Sequence, residues 1–90
     1  MKFLLNSQIK IFSLTLSAKE DGGFEEAEVC LGSFYCHARL SQVNEEENLV
    51  VIIRSHKDVK GRLKVLFEDK TYLVFNIKEV AKGFLKLICK

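Results

Sequence analysis

The 90-residue sequence contains no proline, no tryptophan, five glycines and three cysteines. The missing proline and scarce glycine, set beside 48% apolar residues, exclude the polar composition of a disordered chain. Cys30, Cys36 and Cys89 are odd in number, which excludes a fully paired disulfide framework within one chain. No stretch approaches the roughly 20 apolar residues that span a bilayer. The N-terminal "MKFLLNSQIKIFSLTLSA" is interrupted by Asn6, Ser7, Gln8 and Lys10, where a signal peptide needs its continuous hydrophobic segment. These absences predict a chain made in the cytoplasm with no membrane partner. The short C-x₂₋₄-C spacing of a structural zinc site is also missing, so Cys30, Cys36, His37, His56 and Cys89 define no metal centre, and Cys36 and Cys89 read as small buried hydrophobes.

What is present is β-type patterning. "QIKIFSLTL" (8–16) fits a first strand, and the acidic "SAKEDGGFEEAE" that follows carries Gly22-Gly23 as an exposed turn. That pair lacks the Lys and hydroxyl of a phosphate loop. "EVCLGSFYCHARLSQV" (28–43) reads as one bent strand or two short ones, with Gly32 at a bulge. Its alternation sets Phe34, Cys36, Ala38 and Leu40 on one face and Tyr35, His37 and Arg39 on the other. A short helix over 24–31 is an alternative. "NEEEN" (44–48) reads as a charged connection, "LVVIIR" (49–54) as a strand apolar on both sides, and "SHKDVKG" as an excursion from the sheet. "RLKVLFE" and "TYLVFNI" form a hairpin joined through Asp69-Lys70, and "FLKLIC" forms a last strand after a turn near Ala81 to Gly83. The inward set is Leu63, Val65, Phe67, Tyr72, Val74, Leu85, Leu87 and Cys89. The expected fold is all-β, a small antiparallel β-barrel or strongly curved sheet of five to six strands, in one domain spanning 1–90.

Charge is unevenly divided. Residues 1–48 carry four basic and eight acidic side chains, net −4, whereas residues 49–90 carry ten basic and four acidic, net +6. Arg54, Lys57, Lys60, Arg62 and Lys64 crowd one stretch opposed only by Asp58. Such a cluster can protect a sheet edge, face phosphates without reading sequence, or meet the acidic half of a neighbouring subunit. Among the aromatics, Phe67 and Tyr72 point inward by alternation, leaving Phe75 as the outward candidate for stacking on bases.

No catalytic set emerges. Cys36 and His37 are adjacent on a strand and so point to opposite faces, which prevents a shared proton. Nothing in the sequence brings Cys36 to His56. The acidic groups Glu25, Glu26, Glu28 and Glu45-Glu46-Glu47 lack the staggered oxygen ligands of a calcium loop, and Glu68 and Asp69 fit a hairpin turn. The expectation is no catalytic residues, no cofactor and no metal.

Taken together, "VVIIR" (50–54), "DVKGRLKVLFEDKTYLVFNI" (58–77) and "FLKLICK" (84–90), preceded by "GGFEEAEVCLGSFYCHARL" (22–40), resemble the small phage head-tail joining proteins, also called head-closure or head-tail adaptor proteins. The resemblance runs from about Ile9 to Lys90 through degenerate hydrophobic patterns. Cys36, Ala38 and Leu40 take places in that family's hydrophobic-Trp-Ala-x-hydrophobic strand. His37 stands where the family has tryptophan, and the connection Ser41 to Asn48 is shorter than usual there. The resemblance implies a small barrel that forms a homo-oligomeric ring beneath the portal, joining it to tail proteins in the virion and lining a DNA passage with non-specific contacts. Arg54, Lys57, Lys60, Arg62 and Lys64 would then be intersubunit or DNA-channel contacts. The competing readings are a nucleic-acid-binding barrel of the SH3-like or OB type, and a regulatory module with a polar pocket around His37 or His56.

Overall fold

The computed structural model describes residues 4–43 and 46–90. Its elements are six strands: β1 (Ser7–Ala18), β2 (Phe24–Val43), β3 (Glu46–Arg54), β4 (Leu63–Phe67), β5 (Lys70–Ala81) and β6 (Phe84–Cys89). They close into an antiparallel barrel in the order β1-β2-β3-β6-β5-β4. The described residues contain no helix, and 24–31 belong to β2 rather than to the short helix considered above. Strand β3 begins at Glu46, so Glu46 to Asn48 extend the ladder instead of forming a connection; Asn44 and Glu45 lie outside the described residues.

Alternation places the core. Ile9 and Ile11 of β1, Cys36 of β2, Leu49, Val51 and Ile53 of β3, Leu63 and Val65 of β4, and Leu87 and Cys89 of β6 are all buried. They meet in one cluster with Tyr72. Val59, from the excursion between β3 and β4, is buried in the same cluster, so this loop is anchored apolarly although it carries Lys57 and Lys60. The outer face of β3 is half-buried at Val50 and Ile52, consistent with its continuous β-branched run. Phe67, Val74 and Leu85 are only half-buried, as are Phe34 and Ala38, and Leu40 is 50% exposed. Phe67 and Leu85 stand at or beside strand ends, whereas Ala38 and Val74 lie opposite buried Val51 and Cys89.

Three irregularities bend the ladders. Ile11 pairs with Gly32 but Phe12 with Cys30, which leaves Leu31 as the extra residue of a bulge, and Gly32 takes φ 127°, a backbone setting suited to glycine. On β5, Val74 pairs with Cys89 and Asn76 with Ile88, so Phe75 is extra; Val80 is extra in the same way farther on. The bulge at Phe75 reverses the phase of β5. Tyr72 and Val74 face inward before it and Ile77 packs on the core after it.

The β4–β5 hairpin turns through Glu68-Asp69, with φ of 49° and 65°, and Lys70 is already paired with Phe67; the turn is one residue earlier than Asp69-Lys70. Both signs are positive, which suits a two-residue turn to the strand twist. The β5–β6 turn is Lys82-Gly83, since Ala81 still pairs with Phe84.

Two stability outcomes follow. Leu87→Ala removes a fully buried side chain and should cost about 2 to 5 kcal/mol, whereas half-buried Leu85→Ala should cost about 1 to 2 kcal/mol; urea unfolding compares them. Replacing Glu68-Asp69 by Asn-Gly relieves two left-handed non-glycine residues and should stabilise by about 1 to 2 kcal/mol, read as a rise in the same midpoint.

Candidate functional site

Strand β1 pairs with β4 only from Lys10 to Ser13, and the Leu14 N–H donates to the Arg62 carbonyl at 3.0 Å. Beyond this rung, β1 and β2 pair only with each other, up to Ala18 and Phe24. Residues 15–30 are all exposed and form a two-stranded arm standing off the barrel. The tip closes through the Lys19 N–H to the Gly23 carbonyl at 2.7 Å and the Gly22 N–H to the Lys19 carbonyl at 3.1 Å. The carboxylate of Asp21 also accepts from the Gly23 N–H at 3.1 Å. The arm carries Lys19 against Glu20, Asp21, Glu25, Glu26 and Glu28, net −4.

The basic cluster divides at the arm's base. Arg62 lies 3.9 Å from Glu26, and Lys64 pairs with Glu28 while its ammonium also sits 5.0 Å from the centre of the Phe12 ring. A third pair of this kind, Lys90 with Glu46 at 3.7 Å, likewise joins the basic half to the acidic half. The charge asymmetry of the sequence is therefore met in part within one chain. Lys57 and Lys60 make no ion pair among the described residues and stand exposed on the Val59 loop. Arg54 ends β3 with its guanidinium 5.7 Å from the Phe84 ring centre.

Arg54 also borders an open cleft of about 520 Å³ whose other walls are Leu5, Ser33, Phe34 and Tyr35. The cleft lies where β3 stops and β2 continues toward the arm, since Cys36 is the last β2 residue paired to β3. Phe34 forms one wall and receives the His56 ring edge-on at 5.4 Å. The Nδ1 of His56 accepts the Asp58 N–H at 3.1 Å, so this imidazole braces the loop. Tyr35, 65% exposed, projects at the rim. Two residues farther along β2, on the same face as Tyr35, His37 sits in a smaller groove with Arg39, Val50, Ile52 and Lys86.

All three cysteines are free thiols. Cys36 and Cys89 are buried, and desolvation pushes their thiols up to about 11 and about 12; Cys30 is exposed on the arm. Among the described residues no three His, Cys, Asp or Glu side chains gather as metal ligands. The outward aromatic of the sequence reading, Phe75, is 52% exposed, with the Lys90 ammonium 4.9 Å from its ring centre. Sequence reasoning placed the basic stretch but not the arm or the cleft. Both depend on where neighbouring strands end, although the run of exposed acidic residues around Gly22-Gly23 is a local sign of the arm.

A six-stranded closed barrel with one projecting β-ribbon is the class that this geometry defines. No protein-family model matches the sequence, and no curated protein does. Among solved structures, the fold is similar to that of a chain in the virion of a native gene transfer agent (GTA) particle, with a TM-score of 0.69 and 12% identity. The likeness covers 93% of this chain and 91% of that one, so arm and barrel are compared together.

A thiol-specific reagent should modify one cysteine, Cys30, in the native protein at neutral pH and all three after denaturation. Because folding raises two thiol pKa values, their contribution is complete below the ordinary value near 9 and is lost as pH rises toward 11 to 12. Stability measured across that range should fall more steeply for the native sequence than for a Cys36→Ala, Cys89→Ala variant.

Proposed function

We propose that this chain is a structural connector of a phage or prophage particle, assembling as a ring beneath the portal and joining capsid to tail without catalysing a reaction. The observation that carries the reading is the fold likeness to a virion chain, which extends over nearly the full length of both proteins. The exposed arm agrees with it. A two-stranded ribbon is marginal alone in water and gains stability when a partner covers it. Within the basic stretch, Arg54, Lys57 and Lys60 have no carboxylate partner among the described residues, and are available to a neighbouring subunit, to the portal or tail proteins, or to DNA passing through the ring. Contacts to that DNA are electrostatic and sequence-independent. The chain is then made in the host bacterial cytoplasm and resides at the head-tail interface of the virion.

The second reading, a nucleic-acid-binding barrel, rests on exposed Phe75 beside Lys90, a base-stacking surface next to a positive charge. Deleting the gene separates the two. A connector leaves DNA-filled or leaking heads without tails, and purified protein restores joining; normal particle yield and infectivity in an active phage exclude the connector role. Reversing the charge of Arg54, Lys57 and Lys60 together should weaken ring or portal association most at low salt while the thermal unfolding of the subunit is retained. Loss of nucleic-acid binding with intact particle assembly would favour the barrel reading instead.

A further inference from the structure

The tip of the arm bears an unsatisfied surface of defined chemistry. Antiparallel pairing sets Ala18 opposite Phe24 and Leu16 opposite Glu26, which places Leu16, Ala18 and Phe24 on one face. Phe24 is 73% exposed and Leu16 59% exposed. Around them Glu20, Asp21 and Glu25 have no ion pair among the described residues. The cleft beside Arg54 has the complementary character: Leu5, Phe34 and Tyr35 supply apolar walls, Arg54 a positive rim, and the adjoining loop adds Lys57 and Lys60.

We propose that the arm tip of one copy docks in this cleft on a second copy, with Phe24 and Leu16 against Phe34 and Tyr35 and the tip carboxylates against Arg54, Lys57 and Lys60. This rests on the reading of the chain as an assembling structural protein and names the contact by which copies join. The tip cannot serve its own cleft. Phe24 and Phe34 are ten residues apart on the same strand, about 33 Å when extended, and folding the ribbon back would break the β1–β2 ladder. Reach to a neighbour is adequate, because residues 15–18 carry the turn about 13 Å beyond the last β1–β4 rung, and the molecule measures 50 Å along its longest axis and 22 Å along its shortest. The two surfaces differ, so each copy offers one tip and one cleft. That is a heterologous contact, which propagates into a ring when its rotation closes.

The experiment uses the purified full chain and two variants, Phe24→Asp with a disabled tip and Tyr35→Asp, Arg54→Glu with a disabled cleft, each checked by thermal unfolding. Sedimentation up to about 1 mM detects even weak association. The native chain should self-associate, each variant alone should associate at least roughly tenfold more weakly, as expected for loss of an aromatic anchor, and an equal mixture should form pairs through the one intact tip and cleft. A Phe24→Cys, Tyr35→Cys, Cys30→Ser chain should give disulfide-linked dimers and longer species on oxidation. Native-like association of the variants, no recovery on mixing, or absence of intermolecular disulfides overturns the proposal. Particles that require the protein yet assemble with Phe24→Asp overturn the tip contact while leaving the connector role in place.

Discussion

The backbone hydrogen-bond ladder between β1 and β4 governs the rest of this molecule. Strand β4 has five residues, whereas β1 and β5 have twelve each and β2 has twenty. A barrel closes only over the length of its shortest wall, and here that wall ends at the rung from Leu14 to Arg62. The longer strands overhang. On the β1–β2 side the overhang is the acidic arm, and where β3 stops short of β2 it opens the cleft at Arg54. Core and exposed surfaces thus derive from one mismatch of strand lengths.

Electrostatics act at the hinge between arm and barrel. Glu26 with Arg62 and Glu28 with Lys64 tie β2 to the start of β4, across the place where the ladder stops. Exposed pairs of this kind contribute only about 0 to 1 kcal/mol each. Their value lies in orienting a ribbon that has a neighbour on neither side. Pairing within the chain consumes Arg62 and Lys64 and leaves the acidic tip and the basic Val59 loop among the places that keep unpaired charge.

The buried thiols and the two imidazoles have defined surroundings. The buried thiols of Cys36 and Cys89 are held protonated by desolvation, His56 is occupied by the Asp58 amide and the Phe34 ring, and His37 lies in a groove with Arg39 and Lys86. Among the described residues the arm, the cleft at Arg54 and the Phe75 ring beside Lys90 are exposed surfaces that combine apolar and charged groups. They have the composition of contact surfaces, on a fold similar to that of a virion chain.

Strand character was legible in the sequence because side-chain alternation is local: Ile9 and Ile11, Leu63 and Val65, and Leu87 and Cys89 face inward as their two-residue period demands. Gly32 marked its bulge for the same kind of reason, since its positive φ is a property of one residue. At Phe75 and Val80 no glycine announces the extra residue, so continuing the alternation through β5 does not anticipate that Ile77 turns inward. The half-burial of Phe67 and Leu85 likewise goes with their places at or beside strand ends, which alternation alone does not give. The sequence by itself determined an all-β chain of five to six strands, the inward faces of most of them and the division of charge. Only the tertiary structure decided which acidic and basic residues neutralise one another, where β1 loses its second neighbour, and which surfaces remain open, because those outcomes depend on pairing between segments far apart in the chain.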